Sequence, residues 1–341
     1  TVVESGVPRS IAFWYQDAAP SIQESASKKY VRWGSAAMGL AATCCGVYHV
    51  ARGVIECMHP ETNDEGLFLV CHDNKPKLEQ KWGRNLPRLG VVDSETGTYQ
   101  KVHINSDALA KAKDLESLQW IRQNEYLSCE SEGTCFQFSV SKDEAGDYSA
   151  TVLKQFKLAV PTDKFYSIEG VALKGSEQRE ICWSHRGGIF AGEEPWTRCA
   201  PLDLDRGVVG EFSEVQVEDP FGIPNKLNRA ISDHAIGGKS GKDYFIATID
   251  TEGSEGIAAT ADQAYSFLYT QECCIKIFPS EKVEALHVNV EETSAIIATD
   301  NEAAGSKMCK ISLESGNLSC VDILPGEEHG IGGIAPLKLS R

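Results

Sequence analysis

A chain of 341 residues with 49 acidic against 33 basic side chains carries a formal net charge of −16, and such a field repels a phosphate backbone or an anionic membrane surface at long range. Nucleic acid is therefore excluded as an expected partner, and a small or neutral ligand is favoured. No apolar run approaches the roughly 20 residues needed to cross a bilayer, and no basic and apolar leader follows Thr1, so any targeting peptide is expected to have been removed.

Taken in chain order, the sequence reads as strands. "RSIAFWYQD" (Arg9 to Asp17) opens it, "AMGLAAT" (Ala37 to Thr43) follows, and "LFLVCHDN" (Leu67 to Asn74) leads into two alternating runs about a polar turn, "LGVVDSETGTYQKVHI" (Leu89 to Ile104). "SDALAKAKD" (Ser106 to Asp114) begins with the Ser, Asp and Ala pattern of one short helical turn. Then comes "LESLQWI" (Leu115 to Ile121), a second strand "EYLSCES", and the hairpin "FQFSVSKDEAGDYSATVLKQF". The same order returns in "IEGVALK" (Ile168 to Lys174), "REICWSH" and "PLDLDRGVVGEFSEVQV", and is expected again around "DYFIATID", "SEGIAAT" (Ser254 to Thr260) and "AYSFLYTQE". A last round runs through "VEALHVN" (Val283 to Asn289), "SAIIATDN" and "KISLESGNLSCVDI" to "GIGGIAP" (Gly330 to Pro336).

Period-2 alternation, with Gly, Asp, Asn and Ser in the turns, marks half-buried antiparallel strands. A four-stranded unit recurring every 30 to 60 residues or so is the pattern of propeller blades. The expectation is an all-β chain, a single β-propeller domain over residues 1–341 with about six blades of four antiparallel strands. An open ring leaves sheet edges, so the N-terminal and C-terminal strands are expected to meet in one blade and close it.

Twelve cysteines supply independent evidence on register. Cys309 and Cys320 lie equally far from the centre of "LESG", which sets them opposite one another in a hairpin. Cys129 and Cys135 bracket "ESEGT", and Cys182 and Cys199 bracket a Gly-rich excursion. Without a CxxC pair or an HxxxH, zinc is disfavoured and disulfides are expected, with Cys44, Cys45, Cys57, Cys71, Cys273 and Cys274 left to be matched. Asn317-Leu318-Ser319 is a glycosylation sequon at the tip of the last hairpin, which agrees with an oxidising, secretory route.

The recurring acids Glu116, Glu169, Glu255 and Glu284 stand at the start of each predicted inner strand, near the axial mouth. The second strands should end around them with His72-Asp73-Asn74, Glu130, His185-Arg186, Asp250, Glu272 and Asp300-Asn301. Singly, each Glu reads as an acceptor for loop amides. Convergence of three or more marks a site for a hard cation such as calcium, with Glu169, Glu255 and Asp300 as the expected ligands.

A serine or cysteine nucleophile has no recognisable motif here, and no GxGxxG or P-loop provides for a nucleotide. A pocket that orients its ligand is the remaining chemistry. Trp183, His185 and Arg186 combine an aromatic face, an imidazole and a guanidinium, and Tyr126, Trp120, His234, Tyr269 and His287 extend the set. The alternative is that Trp120 and Trp183 pack between blades.

The repeated "EG(V/I)A" phrase before a strand ending in Asp-Asn or Ser-His resembles the six-bladed propeller superfamily of strictosidine-synthase-like, gluconolactonase-like and SdiA-regulated proteins. As a cysteine-bearing chain of this size it is also similar to the fungal hetero-Diels-Alderases of tropolonic sesquiterpene biosynthesis. That resemblance implies a cofactor-independent pericyclase that joins a tropolone-derived quinone methide to a humulene-type alkene, both small and largely apolar, by proximity and carbonyl polarisation. His185 and Arg186 are then the expected donors, with Trp183 and Tyr126 as walls. The alternatives are a calcium-dependent ester or lactone hydrolase and a secreted, non-catalytic binding propeller.

Overall fold

The computed structural model describes residues 66–74, 86–159, 166–175, 179–187, 195–216, 229–249, 266–277, 282–299, 306–323 and 330–339. The chain divides into two compact units, Thr1–Met58 and His59–Arg341, where one domain over residues 1–341 was expected. Every described residue belongs to the second unit.

That unit is a β-propeller of small antiparallel sheets. The first blade holds β1 (Leu67–His72), β2 (Leu89–Asp93) and β3 (Tyr99–Lys101), with the last strand, β22 (Ile331–Pro336), on its inner edge. The second runs β5 (Leu115–Arg122), β6 (Glu125–Glu130), β7 (Thr134–Lys142) and β8 (Tyr148–Lys157), and β4 (His103–Ile104) pairs parallel to its outer edge. A single helical turn, α1 (Asp107–Ala110), precedes it where the sequence places one, and buries Leu109.

The third blade holds β9 (Ile168–Lys174), β10 (Glu180–His185) and β11 (Trp196–Asp203), flanked by β12 (Val208–Val209) and β13 (Ser213–Gln216). The fourth is β14 (Arg229–Ile236), β15 (Asp243–Ile249), β16 (Ser266–Tyr269) and β17 (Cys274–Ile277). The fifth is β18 (Val283–Val288), β19 (Ser294–Thr299), β20 (Lys307–Ser312) and β21 (Leu318–Asp322). The inner strands pack in the cycle β22, β5, β9, β14, β18, and β18 returns to β22.

Five blades are thus present among the described residues, against about six expected. The phrase copy at 37–43 and the strand at 9–17 lie outside the described residues. "SEGIAAT" also lies outside them, and the inner strand of its blade is β14, "RAISDHAI". Closure follows the expected principle at the C-terminal end, since β22 pairs antiparallel with β1.

Successive side chains of a strand point to opposite faces, and each blade buries both. From β1, Leu69 and Cys71 join Leu115, Tyr126 and Phe138 between the first two blades. Val70, one residue out of phase, joins Ile296, Met308 and Ile334 on the other side. Between the second and third blades Leu127, Phe156 and Ile168 enclose Trp183 and Trp196. No helix among the described residues is long and apolar enough to cross a membrane.

The disulfides form as the turn symmetry requires. Cys129 faces Cys135, Cys182 faces Cys199 and Cys309 faces Cys320 across adjacent strands, with Cα separations of 4.0, 4.1 and 4.0 Å. The expectation that Cys71 and Cys273 also pair is corrected: both are free thiols. Cys71 is wholly buried with Sγ 3.5 Å from the Ser117 carbonyl, and burial pushes its thiol far up. Cys44, Cys45 and Cys57 lie outside the described residues.

Candidate functional site

The opening phrase of each blade has one structural meaning, a β-bulge at the start of the inner strand. Register skips Glu116 between Leu115 and Ser117, Glu169 between Ile168 and Gly170, Ser232 between Ile231 and Asp233, and Glu284 between Val283 and Ala285. In β22 it skips Gly332. A bulge leaves its extra residue outside the ladder and re-aims it. Here the extra residue carries the acid in three of five strands.

The small residue after the bulge has an equally direct cause. A Cβ on Gly170 would collide with the backbone of His234, and one on Gly332 with the Leu115 carbonyl. Glycine lets neighbouring inner strands approach there, as a side chain would not.

Asp73, Glu116, Glu169, Asp233 and Glu284 are each at most 7% exposed. They face one another electrostatically. Burial, then the charges of Glu169, Asp73, Asp114 and Glu284, hold the Glu116 carboxyl well above its ordinary range. Burial does the same to Asp233, with Glu169 and Glu284 adding to it against two backbone hydrogen bonds.

Most of these acids have donors. Glu169 accepts Ser167 Oγ at 2.7 Å, with Arg186 Nη1 at 3.5 Å. Asp233 accepts the N–H groups of His234 and Leu286 at 2.7 and 2.6 Å. Lys282 pairs with Glu284. Glu116 receives no hydrogen bond from any described residue, and one oxygen from each of Asp73, Asp114 and Glu116 lies within 4.8 Å of the others.

Arg186 belongs to this mouth. His185 lies behind it, wholly buried, its Nδ1 accepting the Ser167 N–H at 3.1 Å and its ring stacked on Trp196 at 5.1 Å. The remaining expected pocket residues stand elsewhere. Trp183 is wholly buried between blades, as is Tyr126, whose hydroxyl accepts the Lys338 N–H at 2.7 Å. Trp120 donates Nε1–H to the Gln123 carbonyl at 2.8 Å and lies under Lys338 Nζ. His287 packs by Phe68, and burial together with the Lys338 charge pushes it down to about 4.

His234, Phe245 and Tyr269 form a separate aromatic run. His234 Nε2 is 2.9 Å from Asp243 Oδ1, and Nδ1 is 3.2 Å from Ser184 Oγ. This Ser, His and Asp set escaped the sequence reading because its members come from two blades. Ser184 is wholly buried and shares its hydroxyl with Thr197, so the set bolts two blades together and leaves no room for an acyl group.

Tyr269 also lines a cavity of about 260 Å³ with Lys242, Tyr244, Cys273 and Glu292. Glu272 lies there too, paired with Lys242. Its expected place in the acidic mouth is corrected: "AYSFLYTQE" supplies the third strand of its blade, β16, whose end points opposite to that of a second strand. Glu255, Asp250, Asp300 and Asn301 lie outside the described residues. Two acids went unread, Asp114 and Asp233. Asp114 has a positive φ of 59°, a conformation that Asp tolerates better than most residues, and the spacing Asp-x-Glu at a strand start was its signal.

No protein-family description and no curated protein matches the chain. Among solved structures it is similar to the β-propeller domain of Cps50 (Swd1) of Myceliophteria thermophila, at 10% identity and a TM-score of 0.31 over 64% of this chain and 57% of that one. It is also similar to TolB of Acinetobacter baumannii, at 11% and 0.34 over 80% and 57%. The WD40 β-propeller domain of Doa1 stands at 13% and 0.32 over 64% and 70%. The chain spans less than two thirds of the first two structures. The propeller assignment rests on strand order and ring closure.

Proposed function

We propose that the axial mouth is the working end of this protein and that it serves a cation-dependent hydrolysis of an ester or lactone. One observation carries the reading: buried carboxylates from four inner strands and one flanking loop converge there and raise one another's proton affinity. Like charges removed from water oppose folding unless something neutralises them, and an all-oxygen donor set suits a hard cation. When bound, such an ion polarises a carbonyl and acidifies a water.

The chain's own residues supply the rest. Ser167 and Arg186 fix the Glu169 carboxylate. Arg186, 7% exposed at the same mouth, presents positive charge to an oxyanion developing beside it. The test is hydrolysis of a panel of aryl esters and lactones by the wild-type chain and by Glu169→Gln. Turnover lost with chelator and reduced at least tenfold in the variant supports the reading; no hydrolysis of any substrate rejects it.

A second reading, the cofactor-independent hetero-Diels-Alder pericyclase, draws on the adjacency of His185 and Arg186 behind and at that mouth. In it Arg186 donates to the quinone methide carbonyl, and consumption of the reactant pair is indifferent to chelator. Unchanged turnover in both His185→Ala and Arg186→Ala rejects it.

A further inference from the structure

Deepening the reading of the mouth as a cation site, we infer that Asp73, Asp114 and Glu116 together hold one hard divalent cation of the calcium class at the seam between the first and second blades. Asp73 follows β1, in the sheet that the C-terminal strand completes. Asp114 and Glu116 flank Leu115, the first residue of β5. One carboxylate oxygen from each of the three residues lies within 4.8 Å of the others.

Glu116 is the decisive member. It is 5% exposed, and no described residue donates a hydrogen bond to it. A carboxylate so far removed from water is ordinarily met by an N–H, an O–H or a cation. Glu169, Asp233 and Glu284 follow that rule at the same mouth. Glu116 is instead turned by its bulge toward two more acids, an arrangement that costs free energy until a cation completes it.

The flanking structure fixes the donors in advance. Ser131 Oγ donates to Asp114 Oδ2 at 2.7 Å, and Ser131 N–H to the Asp114 carbonyl at 3.0 Å. The Asp73 N–H donates to the Gly330 carbonyl at 3.3 Å. The cluster contains neither imidazole nor thiolate, so its chemistry selects oxygen-loving cations over zinc or copper. An ion there joins the first blade to the second beside the seam where the ring closes, and its binding stabilises the folded chain by mass action.

The test is isothermal titration of the full chain, stripped with EDTA and dialysed, with calcium chloride, beside thermal melts with and without calcium. One ion per chain is expected, with a melting midpoint that rises with calcium. Glu116→Gln and Asp114→Asn should each weaken binding at least tenfold, and magnesium should bind more weakly. Circular dichroism confirms that the variants fold. Asp114→Asn, at a half-buried position, carries the test if Glu116→Gln does not fold. Absence of stoichiometric binding by the folded wild-type chain, or undiminished binding by the folded variants, overturns the inference. An ion bound without hydrolysis sinks only the hydrolase reading.

Discussion

Asp233 accepts the backbone N–H of Leu286 at 2.6 Å, so a side chain on β14 fastens the neighbouring inner strand β18, which no ladder joins to it. Replacing it strands two buried N–H groups, that of Leu286 and that of His234. Each such loss costs about 1–3 kcal/mol. Relief of a buried negative charge offsets part of it. Asp233→Ala is expected to destabilise by about 2 kcal/mol, and urea melts yielding no change would remove Asp233 from the ring's fastening.

Gly170 is the second fastening point. Gly170→Ala places a methyl group against the backbone of His234, where no flexible side chain can yield. Overpacking of this kind costs about 1–3 kcal/mol or more. A melting midpoint equal to that of the wild type would show that the inner strands stand further apart than described.

The three disulfides should rank by the loop each closes. Their sequence separations are 17 for Cys182–Cys199, 11 for Cys309–Cys320 and 6 for Cys129–Cys135. In the chain-entropy account a longer loop gives more stabilisation, typically about 2–4 kcal/mol. Paired Cys→Ala variants melted in guanidinium chloride are expected to lose most stability at 182/199 and least at 129/135.

His287 gives a pH dependence with a definite sign. Burial lowers it from the ordinary 6.5 to about 4, so the unfolded chain binds more protons between those values and stability rises with pH across that window. The contribution is complete above 6.5 and lost as pH falls toward 4. On the order of 2 kcal/mol is at stake. Thermal melts from pH 4 to 7 should show a shallower slope in His287→Gln, and equal slopes would contradict the assignment.

Asn317 is exposed at the tip of the hairpin closed by Cys309 and Cys320, and Ser319, two residues on, is exposed as well. Expression through a eukaryotic secretory pathway is expected to add an N-glycan there. Intact mass before and after amidase treatment reads it directly, and Asn317→Gln should abolish the difference.

Strand order and cysteine pairing were legible because both depend on local spacing. Cys309 and Cys320 sit symmetrically about their turn, and Glu116, Glu169 and Glu284 recur because the bulge recurs. Asp233 was not legible, since its strand places serine at the bulge and the acid one residue later, while "SEGIAAT" imitates the phrase outside the inner strand. The aromatic assignments depended on strand phase, where one residue decides between core and mouth. Trp183 and Tyr126 turned inward to the inter-blade core, and Arg186 fell at the mouth.

The most direct test of the central claim is ester and lactone hydrolysis by the chain purified without chelator, then treated with EDTA, then given back calcium. The account predicts turnover that disappears with the chelator and returns with the ion. Hydrolysis indifferent to EDTA in demonstrably metal-free protein would contradict it.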